Sequence, residues 1–289
     1  MNMTHARACA VALSLAVGCE RAPDPAIGRA AAERARAHVT SGLGAVDRLT
    51  NGLARAMQGT AAPVGAVMGD VPRLRRALRD LHDDHTPLGR ELTLYPLSFV
   101  AAVRPDGKVA ASDRSGEPDV MAERDLGAAF PCVRAATQGT AGTCAGQFGL
   151  TEGVTRRWFV AVVPARASAE GPVVGAVVAM MTFGNIAKAV RGALDMETTR
   201  DGVQLSVGIL HEGRTYPAGA DNDVAVRYLV REPLVGAIPA DVASRAGREA
   251  VTFNFTERGG RLQWGAAASP AASLGEGAAL LVFRAPIRQ

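Results

Sequence analysis

The sequence contains an internal repeat whose two copies are offset by 106 residues. At this offset residues 97–103 align with residues 203–209, and both segments are followed by a turn that contains glycine. The same offset superposes Trp158 on Trp264, which are the two tryptophans of the chain. Solenoid repeats are only about 20–50 residues long, so a period this long predicts a duplicated domain.

Each copy has the pattern of two hairpins separated by a segment with helix and loop character. The turn of the first hairpin contains Gly107 in one copy and Gly213 in the other. In the first copy, residues 158–163 and 173–183 form the closing hairpin. Antiparallel hairpins with helices in separate segments are typical of the α+β class, and we predict that fold class for the chain.

A helical region precedes the two copies. Val39, Val46 and Leu53 follow the spacing of one helix face, and Pro25 suits the first turn of that helix. A second, shorter helix is predicted after Asp70. We therefore divide the exported chain into a helical region, a first unit and a second unit with a connecting helix, at residues 26–86, 87–183 and 184–289.

The first residues have the pattern of an export signal. A charged start is followed by the apolar run 8–17 and by the small residue Gly18. The run is too short to span a membrane, because a spanning helix needs about 20 apolar residues. We predict that residues 1–18 are a signal peptide that is removed during export.

Residues 15–19 resemble the lipobox of bacterial lipoproteins, in which the cysteine is acylated and becomes the mature N-terminus. The resemblance implies a lipid on Cys19, a tether over residues 19–25 and attachment to a membrane on its periplasmic side. Glu20 in place of an aspartate favours the outer membrane over the inner one. The alternative is an ordinary signal peptide that is cut near Gly18 and leaves Cys19 as a free thiol.

Two cysteines remain when Cys9 leaves with the signal peptide and Cys19 carries the lipid, namely Cys132 and Cys144. Cysteine pairs in exported proteins usually form disulfides, because the compartment is oxidising. A zinc site is the alternative, but two thiols without a nearby histidine do not complete a zinc ligand set. We predict a Cys132–Cys144 disulfide in the first unit.

Four segments of the chain, 99–113, 124–126, 158–164 and 175–179, resemble the extracytoplasmic Cache sensor domains, which are relatives of the PAS fold. The resemblance implies a long N-terminal helix followed by two Cache-like units. It also implies a sensory module for small molecules such as amino acids, carboxylates or amines. Cache domains usually continue into a spanning helix and an output domain, whereas this sequence ends at Gln289 without either. We therefore expect the signal to pass to a partner protein in the envelope.

Five residues of the first unit are candidates for ligand contact. Ser112 and Asp113 close the first hairpin, and Phe130 begins the loop that contains the two cysteines. Arg157 and Trp158 lie in an element similar to the Arg-x-Trp-Tyr element of amino-acid-binding Cache domains, and a guanidinium group matches the geometry of a carboxylate. The alternatives are that Trp158 packs in the core, as its repeated counterpart suggests, and that Asp113 is an exposed strand end.

Other functions receive little support from the sequence. His82 and His85 share a helix face without a third ligand nearby, so we expect no metal site. The short motifs of hydrolases, phosphate-binding loops, zinc proteases and haem attachment are absent, and we expect neither an enzyme nor a cofactor. Arginines at 73, 75, 76 and 79 alternate with aspartates at 70, 80, 83 and 84, which indicates a solvated helix rather than a nucleic-acid site.

The sequence thus predicts a lipid-anchored, periplasm-facing module that binds a small molecule and acts through a partner. The alternative function is an envelope scaffold or interaction protein whose Cache-like units bind no ligand.

Overall fold

The computed structural model describes residues 25–83, 85–114, 119–151, 154–168, 170–198, 203–218, 238–256 and 263–286. The protein is α+β, with a long N-terminal helix and two antiparallel five-stranded sheets, as the sequence predicted. Residues 1–18, the lipidation site Cys19 and the tether up to residue 24 lie outside the described residues. Within the described part, every helix is too short or too polar to cross a membrane.

One long helix and three short helices precede the first sheet. Helix α1 ends in a single 3₁₀ turn, and the side chains of Asp70 and Thr86 cap the helices that follow them by accepting the N–H groups of Arg73 and Gly89. The elements are α1 (Pro25–Ala56), the 3₁₀ turn (Met57–Thr60), α2 (Ala61–Gly65), α3 (Val71–Asp80) and α4 (Pro87–Leu92).

The first sheet has the strand order β2-β1-β5-β4-β3. Two short helices, α5 (Leu126–Ala129) and α6 (Pro131–Thr137), lie between β2 and β3 along the chain and cover one face of the sheet. The strands are β1 (Phe99–Val103), β2 (Val109–Ser112), β3 (Gly142–Thr151), β4 (Val154–Arg166) and β5 (Val173–Thr182).

The second sheet repeats this arrangement after the connecting helix α7 (Phe183–Thr198), with the strand order β7-β6-β10-β9-β8. Its elements are β6 (Val203–His211), β7 (Arg214–Pro217), α8 (Ala240–Arg245), β8 (Val251–Thr256), β9 (Gln263–Pro270), a 3₁₀ turn (Ala272–Leu274) and β10 (Ala279–Pro286). The identical strand order confirms the duplication. The exact borders of the two units stay an interpretation of the sequence.

The single offset of 106 residues is wrong for part of the repeat. It is correct where Trp158 and Trp264 occupy the same face of β4 and β9. In β1, however, Ala101 faces α5 and α6, whereas Val207 in β6 faces the opposite way, toward α1. Alternate residues of a strand point to opposite faces, so an alignment that is shifted by one residue exchanges the two faces.

Both sheets contribute one face to a common core. We call these the inner faces, and the core includes α1, α3 and α7 together with residues of both sheets, such as Val177 and Val282. Helix α1 lies so close to β9 that a side chain on Gly265 would clash with the backbone of Ala31 and Ala32. Each sheet also has an outer face with a smaller core of its own.

Candidate functional site

The outer face of the first sheet is lined by apolar side chains and contains the aromatic residues of the predicted site. Trp158 is completely buried there, and its ring meets Phe99 edge to face with the centroids 5.5 Å apart. The indole Nε1–H of Trp158 donates to the carbonyl oxygen of Phe148 at 2.9 Å. Trp158 therefore packs as a core residue, which was one of the two interpretations of the sequence.

The loop over this face is fixed by the disulfide between Cys132 in α6 and Cys144 in β3, as predicted. Phe130, immediately before α6, is completely buried and lies against Gly146, where an added Cβ would be 2.8 Å from the Phe130 ring. Only glycine allows the ring to approach β3 this closely. The disulfide and Phe130 together hold α6 against the edge strand.

A buried polar pair lies at the end of β2. The carboxylate of Asp119 accepts three hydrogen bonds. The donors are the backbone N–H of Ser112, the hydroxyl group of Ser112 and the backbone N–H of Met121, at 2.8, 2.8 and 2.9 Å. Ser112 and Asp119 are 2% and 7% exposed. Three donors compensate the desolvation of the carboxylate, so this pair fixes the chain where it leaves β2.

Two arginines lie on the outer side of the first sheet, which also holds its aromatic residues. The guanidinium carbon of Arg114 is 5.7 Å from the centroid of the Phe99 ring, within the range of a cation–π interaction. Arg156 is half-buried and precedes Trp158 by two residues in β4, so both side chains are on the outer side of the strand. Positive charge therefore borders an aromatic surface.

Asp113 lies on the inner side of the sheet, away from Ser112. Its carboxylate accepts from the N–H of Val100 at 3.0 Å and is 2.6 Å from Nδ1 of His82. The Asp113 side chain is only 4% exposed, so the idea of an exposed strand end is wrong. Through this contact His82 connects the segment after α3 to the first hairpin.

Arg157 also lies on the inner side, because it precedes the outward-facing Trp158 by one residue. Its Nη1 is 3.1 Å from the carboxylate of Glu212, and its Nη2 is 2.9 Å from Nε2 of His211. Ser112, Phe130 and Trp158 therefore share the outer face, whereas Asp113 and Arg157 do not. The sheet separates the five predicted residues into two groups, and ligand contact by any of them stays a prediction.

His211 is nearly enclosed at the end of β6, with a side chain that is 4% exposed. Burial of the imidazole, together with the nearby Arg157 guanidinium, lowers the pKa of His211 below its usual value of 6.5. Glu212 and the carbonyl of Glu276 act in the opposite direction. The imidazole is therefore held in its neutral form near pH 7.

The sequence contained a signal for Arg156, which was not among the five predicted residues. Strand alternation alone pairs Arg156, rather than Arg157, with Trp158. Asp119 and His211 had no comparable signal, because their partners are set by a loop and by a contact between sheets. His211 is 54 residues from Arg157 in the chain.

Two surface cavities lie in corresponding places of the two sheets, between the first hairpin and the following helix. A cavity of about 270 Å³ is lined by Pro105, Asp106, Gly107, Gly127, Arg134, Thr137 and Gln138. A cavity of about 390 Å³ is lined by Leu210, Gly213, Arg214, Thr215, Tyr216, Ile238 and Ala243. None of the five predicted residues lines either cavity. Within the described ranges, no three histidine, cysteine or acidic side chains are grouped as metal ligands would be.

No protein-family model and no curated protein matches the sequence. Solved structures do match the fold. The ligand-binding domain of the amino acid chemoreceptor PctB of Pseudomonas aeruginosa, in complex with L-Gln, has a TM-score of 0.50 and 14% identity, over 88% of this chain and 90% of that chain. The complex of the same domain with L-Arg gives a TM-score of 0.50 and 14% identity, over 88% and 87%.

An extracellular ligand binding receptor from Desulfohalobium retbaense also matches, with a TM-score of 0.49 and 14% identity. The match covers 87% of this chain and 40% of that chain, so this chain spans less than half of the receptor's length. The protein therefore shares the fold of the PctB ligand-binding domain. This agrees with the Cache-like fold that the sequence resemblance implied.

Proposed function

We propose that the protein is an exported, lipid-anchored sensory module that binds a small molecule at the outer face of the first sheet and transmits ligand occupancy to a partner protein. The observation that carries the proposal is the placement of Arg114 over the Phe99 ring, together with Arg156 on the same side of β4 as Trp158. Apolar and aromatic side chains with a few precisely placed polar or charged groups are typical of small-molecule sites.

The chemistry of this region favours a small anionic or zwitterionic ligand. A guanidinium group can hold a carboxylate through two parallel hydrogen bonds, and aromatic rings can enclose the remainder of the molecule. Ser112, Phe130 and Trp158 are on the correct face to contact such a ligand. PctB was solved with L-Gln and L-Arg, so amino acids are the first compounds to test.

A thermal-shift screen of amino acids, carboxylates and amines tests the proposal. A ligand at about a hundred times its dissociation constant stabilises the protein by about 2.7 kcal/mol, which corresponds to a melting shift of roughly 5–10 °C. We expect Arg156→Ala to abolish the shift. Arg157→Ala is the matched control, because it removes the neighbouring arginine from the opposite face and should leave the shift intact.

The two arginine variants distinguish the structural assignment from the sequence prediction. Loss of the shift in Arg157→Ala and its retention in Arg156→Ala would restore Arg157 as the ligand contact and reject the outer-face site. A screen in which no compound shifts the melting temperature would reject ligand binding at this face altogether.

The membrane anchor is proposed from the sequence, with Cys19 as the acylated residue and Glu20 favouring the outer membrane. Two or more acyl chains give stable attachment, whereas one chain is marginal. We expect the wild-type protein in the membrane fraction and Cys19→Ala in the soluble fraction. A wild-type protein that is wholly soluble after export would support simple cleavage near Gly18 instead.

An envelope scaffold without a ligand is the second candidate function. It is supported by the complete burial of Phe130 and Trp158, which fill the space between α6 and the first sheet. A scaffold predicts no response in the thermal-shift screen. It also predicts that capture of a partner from the envelope does not change when candidate ligands are added.

A further inference from the structure

A contact between the two sheets brings together residues that are distant in the sequence. Arg157 extends from β4 of the first sheet to His211 and Glu212 at the end of β6 in the second sheet. The turn before β10 also reaches the first sheet, since a Cβ on Gly275 would be 3.6 Å from that of Ala145. Changes in this contact therefore affect how the two sheets meet.

Nε2 of His211 has two neighbours, of which one requires a hydrogen on this nitrogen and the other requires that it carry none. It is 2.9 Å from Nη2 of Arg157 and 3.1 Å from the carbonyl oxygen of Glu276. A guanidinium group can only donate, so Nε2 must be unprotonated to accept from Arg157. A carbonyl can only accept, so a protonated Nε2 can bond to Glu276 but not to Arg157.

The charged groups around the imidazole come from each element that packs on it. Arg157 approaches from β4, and Glu212 lies in the adjoining turn with a carboxylate oxygen 3.7 Å from Nδ1. Arg214 pairs with His211 across the hairpin, and Glu276 contributes its carbonyl from the turn before β10. From α7 the uncharged ring of Phe183 contacts the imidazole edge to face.

We propose that the Arg157–His211 hydrogen bond is an acid-sensitive contact between the two sheets, which forms while the imidazole is neutral with its hydrogen on Nδ1 and breaks when Nε2 is protonated as well. In the protonated state Nε2–H donates to Glu276, and the positive imidazolium repels the guanidinium of Arg157. Nδ1–H is then attracted to the carboxylate of Glu212, so the interactions of His211 within the second sheet are kept. The link from the first sheet is the part that is lost.

The pKa of His211 determines the pH range of this change. Burial and Arg157 lower that pKa below 6.5, so the unfolded chain binds more protons than the folded one as the pH falls through this region. The stabilisation by neutral His211 is complete above pH 6.5 and is lost as the pH falls toward the folded pKa. The unfolding equilibrium constant rises by about tenfold for each unit by which the folded pKa lies below 6.5.

Hydrogen exchange on the full exported chain tests the proposal, at about pH 8 and about pH 5 with correction for the chemical exchange rate. We expect protection to fall at the turns after β6 and before β10, but not in the central strand β5. His211→Gln keeps a neutral acceptor at every pH and should remove the difference. His85→Gln, which changes an exposed histidine between α3 and α4, should retain it.

An NMR titration of the imidazole protons gives an independent measurement on the wild type. We expect the resonance that is missing in His211→Gln to titrate below pH 6.5, and Arg157→Met to raise that pKa by removing the neighbouring cation. The proposal is overturned if His211 titrates at or above 6.5 or if the two turns exchange equally at both pH values. It is also overturned if His211→Gln keeps the pH dependence.

Discussion

The outer faces of the two sheets have the same strand order but are closed by different chemistry. Cys144 pairs with Val160, two residues after Trp158, whereas Phe253 pairs with Ala266, two residues after Trp264. Phe253 thus occupies in the second sheet the place of the disulfide cysteine in the first. It packs with Phe255 and Phe283 at centroid distances of 6.3 and 6.1 Å.

The polar groups of the two faces differ as well. The first sheet has the Ser112–Asp119 pair and an arginine two residues before its tryptophan. In the second copy the corresponding residue before Trp264 is Leu262. Among the described residues, the apolar core is therefore kept in both copies, and the first copy combines a covalently fixed loop with charge. This difference supports the placement of the ligand site on the first sheet.

The largest expected difference between the two faces comes from truncating one phenylalanine in each. Phe130→Ala should reduce the free energy of unfolding by about 3–5 kcal/mol, because its ring is completely buried against a fixed loop. Phe253→Ala should cost less, because Phe253 is only partly buried. Chemical denaturation of both variants measures the difference. Equal losses would show that the two faces are equally well packed.

The disulfide should stabilise the outer face of the first sheet by slightly less than the ring of Phe130 does. Cys132 and Cys144 are 12 residues apart, and closing a loop of this length contributes about 3 kcal/mol in the chain-entropy description. We expect the double variant with serine at both positions to lose this stability in denaturant unfolding, and reduction of the wild type to have the same effect. A melting curve that does not change on reduction would mean that Phe130 alone fixes α6.

The Ser112–Asp119 pair should contribute less again. Ser112→Ala removes one of the three donors to a buried carboxylate, and we expect a loss of about 1–2 kcal/mol in the free energy of unfolding. Ser112→Thr keeps the hydroxyl and serves as the control in the same denaturation experiment. If both variants lose the same stability, packing around Ser112 matters more than its hydrogen bond.

The smallest expected effect is the difference in lost stability between Trp158→Phe and Trp264→Phe. Trp158→Phe loses the hydrogen bond from Nε1 to Phe148, whereas the indole Nε1 of Trp264 has no hydrogen-bond partner among the described residues. Trp158→Phe and Trp264→Phe lose similar apolar area. Trp158→Phe should therefore be the more destabilising of the two by about 1 kcal/mol. Paired urea titrations measure this difference, and the opposite order would contradict the hydrogen-bond argument.

The fold could be predicted from the sequence because its signals are local and repeated. The glycine turns, the apolar strands and the two tryptophans define both hairpins in each copy, and the oxidising compartment predicts the disulfide. The facing of individual side chains was predicted less well, since a shift by one residue moves a strand's side chains to the other face. That is why Ala101 and Val207 had been aligned although they face opposite sides.

The candidate site could be predicted only in part for the same physical reason. Large aromatic residues at strand and loop positions are visible in the sequence, so Trp158 and Phe130 could be selected from it, and their contact with a ligand stays a prediction. Which face of the sheet Arg156 and Arg157 each occupy depends on the strand register, which the sequence alone does not give. The partner of Arg157, His211, could not have been found, because a contact across 54 residues depends on how the two sheets meet. Asp113 and His82 likewise pair only after α3 packs on the first hairpin.

The common core makes the folding of the two copies interdependent, although the duplicated sequence suggests two independent domains. Leu74 of α3, Val177 of the first sheet and Val282 of the second are completely buried in one continuous apolar cluster. Excising either copy would expose to water the part of that cluster which it covers, so neither copy should fold without the other. The two copies are expected to unfold in one cooperative transition, as a single thermodynamic unit.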